Sequence, residues 1–296
     1  MSISRQTLSA VIVSYKSDQV IHECIKSISN KIKIIVVDNS NDKNFKENIE
    51  KKYSNVKCIL SSTNLGMGAG NNLGLRHVET DYAIILNPDV ILKKDTIQQI
   101  INESSKINSF AILAPLSDDL KYPNYKIDKK DFKSANNNIP FKVKSVDGFA
   151  MVLNLIKINQ IKKFKNHNYF DENFFMYLEN DDLCKRLNDH NENIFIIPKS
   201  RIKHLGGKAV TEEYSYQVEL SRNWHWIWSK FYFNKKHYGF LIALLSGFPT
   251  FLSAILKSMF YSFTNKKKKD IYYHRALGYF NALLGRKSNF RVKIDS

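Results

Sequence analysis

Apolar residues gather along this chain in short runs, each followed by a helical or polar stretch. Leu8 to Ser14 is a β-rich apolar run, and Asp18 then opens a segment carrying Val20, Ile21, Cys24, Ile25 and Ile28 at helical spacing. Ile32 to Val37 reads as a second buried strand, closed by Asp38-Asn39-Ser40 and followed by a charged helical segment from Lys43 to Tyr53. Val56 to Leu60 is a third strand, after which come a glycine-rich stretch from Asn64 to Gly74 and a fourth strand from Tyr82. Strand and helix alternating in this way predict an α/β fold built on a mostly parallel, doubly wound sheet with flanking helices.

The fourth strand carries the first candidate chemistry. Its apolar run stops at Asn87-Pro88-Asp89, and Pro88 cannot donate to a sheet ladder, so Asp89 should be presented at the strand end rather than buried. Ligands of parallel α/β sheets sit at the carboxyl ends of the strands, where a carboxylate suits a divalent cation bridging to phosphate oxygens. An ordinary turn is the plain alternative. Asp38 ends the second strand at the same edge, placed either to accept from the imide N–H of a uracil or thymine ring or to cap the next helix.

Farther along, a helix is expected from Asp95 to Ile107 and a strand from Phe110 to Ala114. Lys121 to Pro140 is polar and reads as a surface loop of lid length, and Lys142 to Asn154 as a strand lining the cleft around Asp147-Gly148. Glu179, Asn180, Asp181 and Asp182 head a helix, where carboxylates gain from the dipole and any of the three acids can take a proton from a hydroxyl. Ile194 to Ile197 is a strand, and His204 lies in a glycine-flanked loop ending at Gly207, where a neutral imidazole can complete a metal shell with Asp89.

From Ser215 the pattern changes. Leu220, Trp224, Ile227, Trp228 and Phe231 share one helical face, and Tyr238 to Leu256 is then free of charge, with Lys235, Lys236, Lys257 and Lys266 to Lys269 around it. Gly239, Gly247 and Pro249 interrupt that run, which favours two interfacial apolar helices with a basic rim over an anionic membrane surface. A helical pair packed on the catalytic domain is the alternative. The division expected is 1–214 for the catalytic domain and 215–296 for a helical extension.

Charge narrows the partners. Lys and Arg number 45 against 28 Asp and Glu, a formal +17, so the partner is anionic: nucleic acid, lipid or a phosphate-rich substrate. The bases form no stripe within the sheet domain, which argues against nucleic acid. Three scattered cysteines show no metal-ligand spacing and favour reduced thiols in the cytoplasm. Met1 to Thr7 is polar and the apolar run after it is short, so no signal peptide is expected. The glycine stretch superficially resembles a dinucleotide fingerprint, but Gly66, Gly68 and Gly70 give G-x-G-x-G with Asn71 next, and two β-α units precede it. It still suits a backbone pressed against a nucleotide.

Taken in order, these motifs resemble family-2 glycosyltransferases of GT-A fold, and within them the bacterial rhamnosyltransferase-like group. The likeness runs from about Leu8 to Lys236 on Val-Ile-Val-Ser-Tyr-Lys (11 to 16), Val-Val-Asp-Asn-Ser (36 to 40), Asn-Leu-Gly-Met-Gly-Ala-Gly-Asn-Asn (64 to 72), Leu-Asn-Pro-Asp (86 to 89), the Phe170 to Arg186 segment and His-Leu-Gly-Gly (204 to 207). The resemblance implies inverting transfer of a sugar, rhamnose or a related deoxyhexose, from a dTDP- or UDP-sugar to a glycan or lipid-linked acceptor in surface polysaccharide biosynthesis. It implies donor contacts along Ser14, Tyr15, Asp38, Asn64, Gly66, Gly70, Asn71, Asn87, Asp89, Asp147 and Gly148. Mg²⁺ or Mn²⁺ would be held by Asp89 and His204. The chain departs twice from the family pattern. Asn87 stands where an acid opens the metal motif, and Asn180 stands where relatives carry the usual base, which leaves Glu179 favoured over Asp181, with Asp182 as an orienting acid. The apolar run with its basic rim and the reduced cysteines together predict a cytoplasmic enzyme peripheral on the inner face of the cell membrane, with the oligomeric state left open.

Overall fold

The computed structural model describes residues 3–119, 123–127, 138–206 and 214–291, so most of the Lys121 to Pro140 segment, and Gly207, lie outside the described residues. The chain divides into two compact units. The first comprises Met1–Leu65, Ala69–Asp171 and Asn180–Val210; the second comprises Gly66–Gly68, Glu172–Glu179 and Thr211–Ser296.

Unit one opens with the alternation expected: β1 (Leu8–Ser14), α1 (Asp18–Ser27), β2 (Lys33–Asp38), α2 (Lys43–Lys52), β3 (Val56–Leu60), α3 (Gly66–Leu75, its first turn assigned to unit two) and β4 (Tyr82–Leu86). Then follow β5 (Val90–Leu92), α4 (Thr96–Ser104), β6 (Ile112–Ser117), β7 (Tyr125–Lys126), β8 (Phe141–Lys142), β9 (Ser145–Val146), β10 (Ala150–Asn154), α5 (Leu155–Asn159), α6 (Glu179–Asn188, its first residue assigned to unit two) and β11 (Ile194–His204). The main sheet runs β3-β2-β1-β4-β10-β6-β11-β5, with β8 beside β11. The first four strands are mutually parallel; β10 is antiparallel to both neighbours, and β11 returns parallel to β6.

Period-two alternation explains why the early strands are continuous apolar runs. Ala10, Ile12, Ile34, Val36, Ile84 and Leu86 point into one core, and Val11, Ile35, Ala83 and Ile85 into the other, so both faces of the sheet are covered. Register then aligns the chemistry. Ser14 pairs with Asp38 and Ile12 with Leu86, while antiparallel β10 brings Ala150 opposite Leu86. Consequently Ser14, Asp38, Asn87 and the Asp147-Gly148 turn all lie at one edge of the sheet. β11 is longer than expected: its last residue, His204, pairs with Val90 at the start of β5. Cys24, Cys58 and Cys184 are buried free thiols.

Unit two is helical: α7 (Ser215–Tyr238), α8 (Phe240–Tyr261) and α9 (Lys266–Leu283). Trp224, Ile227, Trp228 and Phe231 of α7 form its core with Ala243, Tyr279 and Ala282, whereas Leu220 is only half-buried. The interruption expected at Gly247 and Pro249 does not occur, and α8 runs through both residues. Pro249 forfeits one helical hydrogen bond but stands on an exposed face, and Gly247 admits the Tyr279 ring, which a Cβ would strike. The pair is therefore one long apolar helix and one charged helix, not two apolar ones.

His225 of α7 is fully buried and sealed by the chain beyond α9: Nε2 lies 2.8 Å from the Phe290 carbonyl and Nδ1 2.8 Å from Ser288 Oγ. A carbonyl only accepts, so Nε2 carries the proton and Nδ1 accepts from the hydroxyl. Burial above all, with the Arg291 charge acting in the same direction, pulls the imidazole pKa down to about 3. The folded value lies below the unfolded one, near 6.5, so this stability is present above pH 6.5 and drains away as pH falls towards 3. About 2 kcal/mol should be lost between neutrality and pH 5. All three tryptophans lie in α7, so urea unfolding followed by Trp fluorescence reads this unit; His225→Gln should flatten the pH dependence, and equal wild-type stability at pH 7 and pH 5 would contradict the account.

Candidate active site

The carboxyl edge of the sheet in unit one collects most of the residues singled out from sequence. Asp89 follows β4 by three residues and is 2% exposed, so it is buried rather than presented. Its main-chain oxygen accepts from Leu205 N, which ties it to the end of β11, and its Oδ1 stands 3.4 Å from His204 Nε2 without a hydrogen bond. The His204 ring is stacked on Phe149 at 4.1 Å, and Phe149 in turn accepts a hydrogen bond from Asn87 N. Phe149 escaped sequence reading although it adjoins the Asp147-Gly148 turn.

Four buried oxygens here have no hydrogen-bond partner: Ser14 Oγ, Asn71 Oδ1, Asn87 Oδ1 and Asp89 Oδ1. An unpaired buried polar atom costs roughly 1–3 kcal/mol, so such a set at one strand edge marks a place shaped for polar ligand atoms. A carboxylate oxygen with no donor beside an imidazole nitrogen fits a hard divalent cation that takes its remaining ligands from phosphate oxygens and water. Among the described residues no group of three or more His, Cys, Asp or Glu could hold a metal. Among the described residues the protein share would therefore be two ligands, Asp89 and His204.

The nucleotide side is built from turns. Tyr15 is half-buried in a bend where its amide bonds Ser17 Oγ and the Lys16 amide bonds Ser40 Oγ, Lys16 having φ 51°. Asp38 is 2% exposed and accepts from the amides of Ser40 and Asp42; burial, the larger influence, raises its carboxyl above the usual range despite those bonds. Asp42, not Asp38, caps α2. Gly70 lies against Val13 of β1 and the Asn39 side chain, which also accepts from Leu65 N at 3.4 Å, one residue beyond half-buried Asn64.

Among the acids of α6, Asp181 is paired with Lys126 at 2.7 Å and fully buried Asp182 with Arg186 at 2.8 Å. Asn180 donates to the Val146 carbonyl and packs against Gly148, a structural task for the residue where an acid was expected. Asp147 is raised by burial and by Asp181, while Lys126 and His204 counter the rise, so these charges share one neighbourhood. Lys126 was not foreseen, since it sat in a stretch read as a loop.

In unit two the segment before Glu179 is held in an unusual backbone. Tyr177 and Leu178 have φ 70° and 65°, consecutive left-handed residues that are not glycine, each costing on the order of 1–3 kcal/mol. What holds them is local packing: Tyr177 meets Trp226 edge-on at 5.4 Å, Ser229 Oγ donates to the Met176 carbonyl, and Phe175 lies against His225 and beneath the Arg291 guanidinium. Gly66, with φ 78°, has no room for a Cβ beside Phe175, whose carbonyl accepts from Met67 N. Glu179 itself is 8% exposed.

Comparison with known proteins agrees with this geometry. The family described as "Glycosyl transferase family 2" matches residues 9–179. The low-salt glycan biosynthesis hexosyltransferase Agl10 of Haloferax volcanii is 28% identical over 265 residues, 81% of this chain and 82% of its own length. The rhamnosyltransferase WbbL of Escherichia coli K12 is 28% identical over 220 residues, 66% and 81% respectively. Among solved structures, the mannosyltransferase PcManGT of Pyrobaculum calidifontis, in complex with GDP-Man and Mn²⁺, aligns at TM-score 0.55 and 10% identity, covering 96% of this chain and 89% of that one. GalNAc-T7 with UDP, GalNAc and Mn²⁺ aligns at 0.53 and 14%, covering 75% of this chain and half of that chain. The last two show the fold, a GT-A sheet with flanking helices, and the family match spans more than half of the sequence, so the chain belongs to glycosyl transferase family 2.

Proposed function

We propose that this glycosyltransferase moves a hexosyl or deoxyhexosyl unit, rhamnose foremost, from a dTDP- or UDP-sugar to a hydroxyl of a glycan or lipid-linked saccharide, with inversion at the anomeric carbon. The observation that carries the reading is Asp89 Oδ1, buried without a hydrogen bond beside His204 at the strand edge. Asp89 and His204 would hold Mg²⁺ or Mn²⁺. The cation would offset the charge gathering on the departing nucleoside diphosphate. Ser14, Asn71 and Asn87 offer their unpaired oxygens to the sugar and ribose hydroxyls, and Asp38 faces the base. Glu179 takes the acceptor proton. Asp181 and Asp182 are engaged by Lys126 and Arg186, which leaves them to position α6. One base and one stabilised leaving group suit a single in-line displacement. The names of the two curated relatives support hexosyl and rhamnosyl donors.

A panel of nucleotide sugars read by thermal shift, with and without Mn²⁺, tests this. A ligand at a hundred times its Kd adds about 2.7 kcal/mol to the native state. dTDP-rhamnose with Mn²⁺ should give the largest rise; a larger one from a UDP-sugar would reassign the donor. No rise with any nucleoside diphosphate sugar in Mn²⁺ would refute the reading.

A further inference from the structure

We infer that α8 is a membrane-docking face that lies flat in the surface of an anionic lipid leaflet, and does not cross it. The inference stands apart from the donor reading, because it uses none of the residues assigned to donor, metal or proton transfer.

Leu241, Leu245, Phe248, Leu252, Leu256 and Met259 follow one another along α8 in steps of four, three, four, four and three, a helical stripe, and each is about half exposed or more. Phe263, just past the helix, is 91% exposed. Between Phe240 and Tyr261 the one charged residue is Lys257. Twenty-two residues make a rod of about 33 Å. A continuous apolar face of that length on a folded unit marks an interaction surface.

By length and composition alone α8 could also cross a bilayer. Its other face excludes that. Ala243 and Ala254 are buried, Gly247 receives Tyr279 of α9, and Tyr279 donates to the Leu244 carbonyl at 3.0 Å while stacking on Phe251. Near the far end Ser258 Oγ donates to the Lys269 carbonyl, so α9 follows α8 along most of its length. α9 carries Lys266 to Lys269, Asp270, His274 and Arg275, and is linked to α7 through Tyr216–Asp270, Lys267–Glu219 and Arg275–Asn223. A crossing α8 would draw these charges into hydrocarbon, where each costs several kcal/mol. Lying in the surface plane, α8 buries its stripe while α9 stays on the water side.

Charge selects the occupant. Lys235 and Lys236 precede α8, and Lys257 and Lys266 to Lys269 gather at its far end. Two copies pairing their α8 faces about a two-fold axis would bring these like charges together, whereas an anionic leaflet attracts them all. The cytoplasmic leaflet carries such a negative surface potential.

The test is co-sedimentation of the full chain with vesicles of phosphatidylcholine, alone or mixed with phosphatidylglycerol. Binding should require the anionic lipid and weaken in high salt. The double variant Leu245→Glu, Leu252→Glu alters only exposed positions, and it should bind at least about tenfold more weakly with an unchanged circular dichroism melt. Alkaline carbonate should extract the protein from native membranes. Resistance to carbonate would mean a crossing helix, equal binding by the double variant would place the contact elsewhere, and a concentration-dependent dimer indifferent to vesicles would assign the face to a second copy; each overturns the inference. Should the double variant misfold, the lipid and carbonate measurements on the unaltered chain decide alone.

Discussion

Asp89→Asn is expected to leave the protein folded and to remove metal-dependent donor binding. The argument rests on what each atom of Asp89 does. Its backbone bond to Leu205 survives the change, asparagine is nearly isosteric, and the fold loses an uncompensated buried carboxylate oxygen. Because the buried Oδ1 makes no hydrogen bond, the change should cost the fold little. What disappears is the carboxylate 3.4 Å from His204, and with it the charge that suits the pair to a cation. If that charge supplies about 4 kcal/mol of transition-state stabilisation, turnover falls about a thousandfold. The informative comparison is thermal shift with a nucleotide sugar in Mn²⁺ against the same sugar in chelator: wild type should separate the two and the variant should not. Near-normal turnover by Asp89→Asn would take Asp89 out of the mechanism.

Glu179→Gln should fail in a different place. Donor affinity is retained, while turnover drops by about 10²- to 10⁴-fold, the range for losing a positioned general base. Tyr177 and Leu178 give the structural ground, since a chain accepts two strained residues in a row only where the surrounding contacts over-determine the next position. The carboxylates downstream are already engaged, Asp181 by Lys126 and Asp182 by Arg186. The kcat should fall with KM for the donor little changed, and Asp181→Asn should retain more activity than Glu179→Gln. The opposite ranking would transfer the role to Asp181.

How far these assignments could be read from sequence differs by element. β1, β3 and β4 were legible almost to the residue: β1 and β4 are buried along their whole length and read as apolar runs with polar stops, while edge strand β3 is a short apolar segment broken by exposed Lys57. Antiparallel β10 between β4 and β6 was not, since an apolar run carries no record of its direction. β11 outran its apolar core: the strand was expected to end at Ile197 and Ile202 to Gly207 to be a loop, yet Lys199, Arg201 and Lys203 alternate with buried Ser200 and Ile202 up to His204. Asp89 was placed at the right edge but expected in solvent. Its backbone is tied to Leu205, and the adjoining Val90 pairs with His204, contacts between segments more than a hundred residues apart. The left-handed pair at 177 and 178 left no trace, because neither position is glycine. Pro249 misled in the opposite direction, being a helix breaker only where its missing donor is buried.

The seal over His225 bears on how the chain is completed during synthesis. Arg286 accepts from the Trp228 indole, Ser288 and Phe290 close the imidazole, and Arg291 covers Phe175, two residues before the strained pair. Every one of these contacts waits for residues beyond Leu283, which leave the ribosome after the whole of unit one. The strands of unit one, through β11, have emerged well before and can assemble as the nascent chain lengthens. The segment before Glu179 is made earlier than its own clamp, so a chain stalled before Arg286 would carry the strands of unit one without the contacts that hold Tyr177 and Leu178.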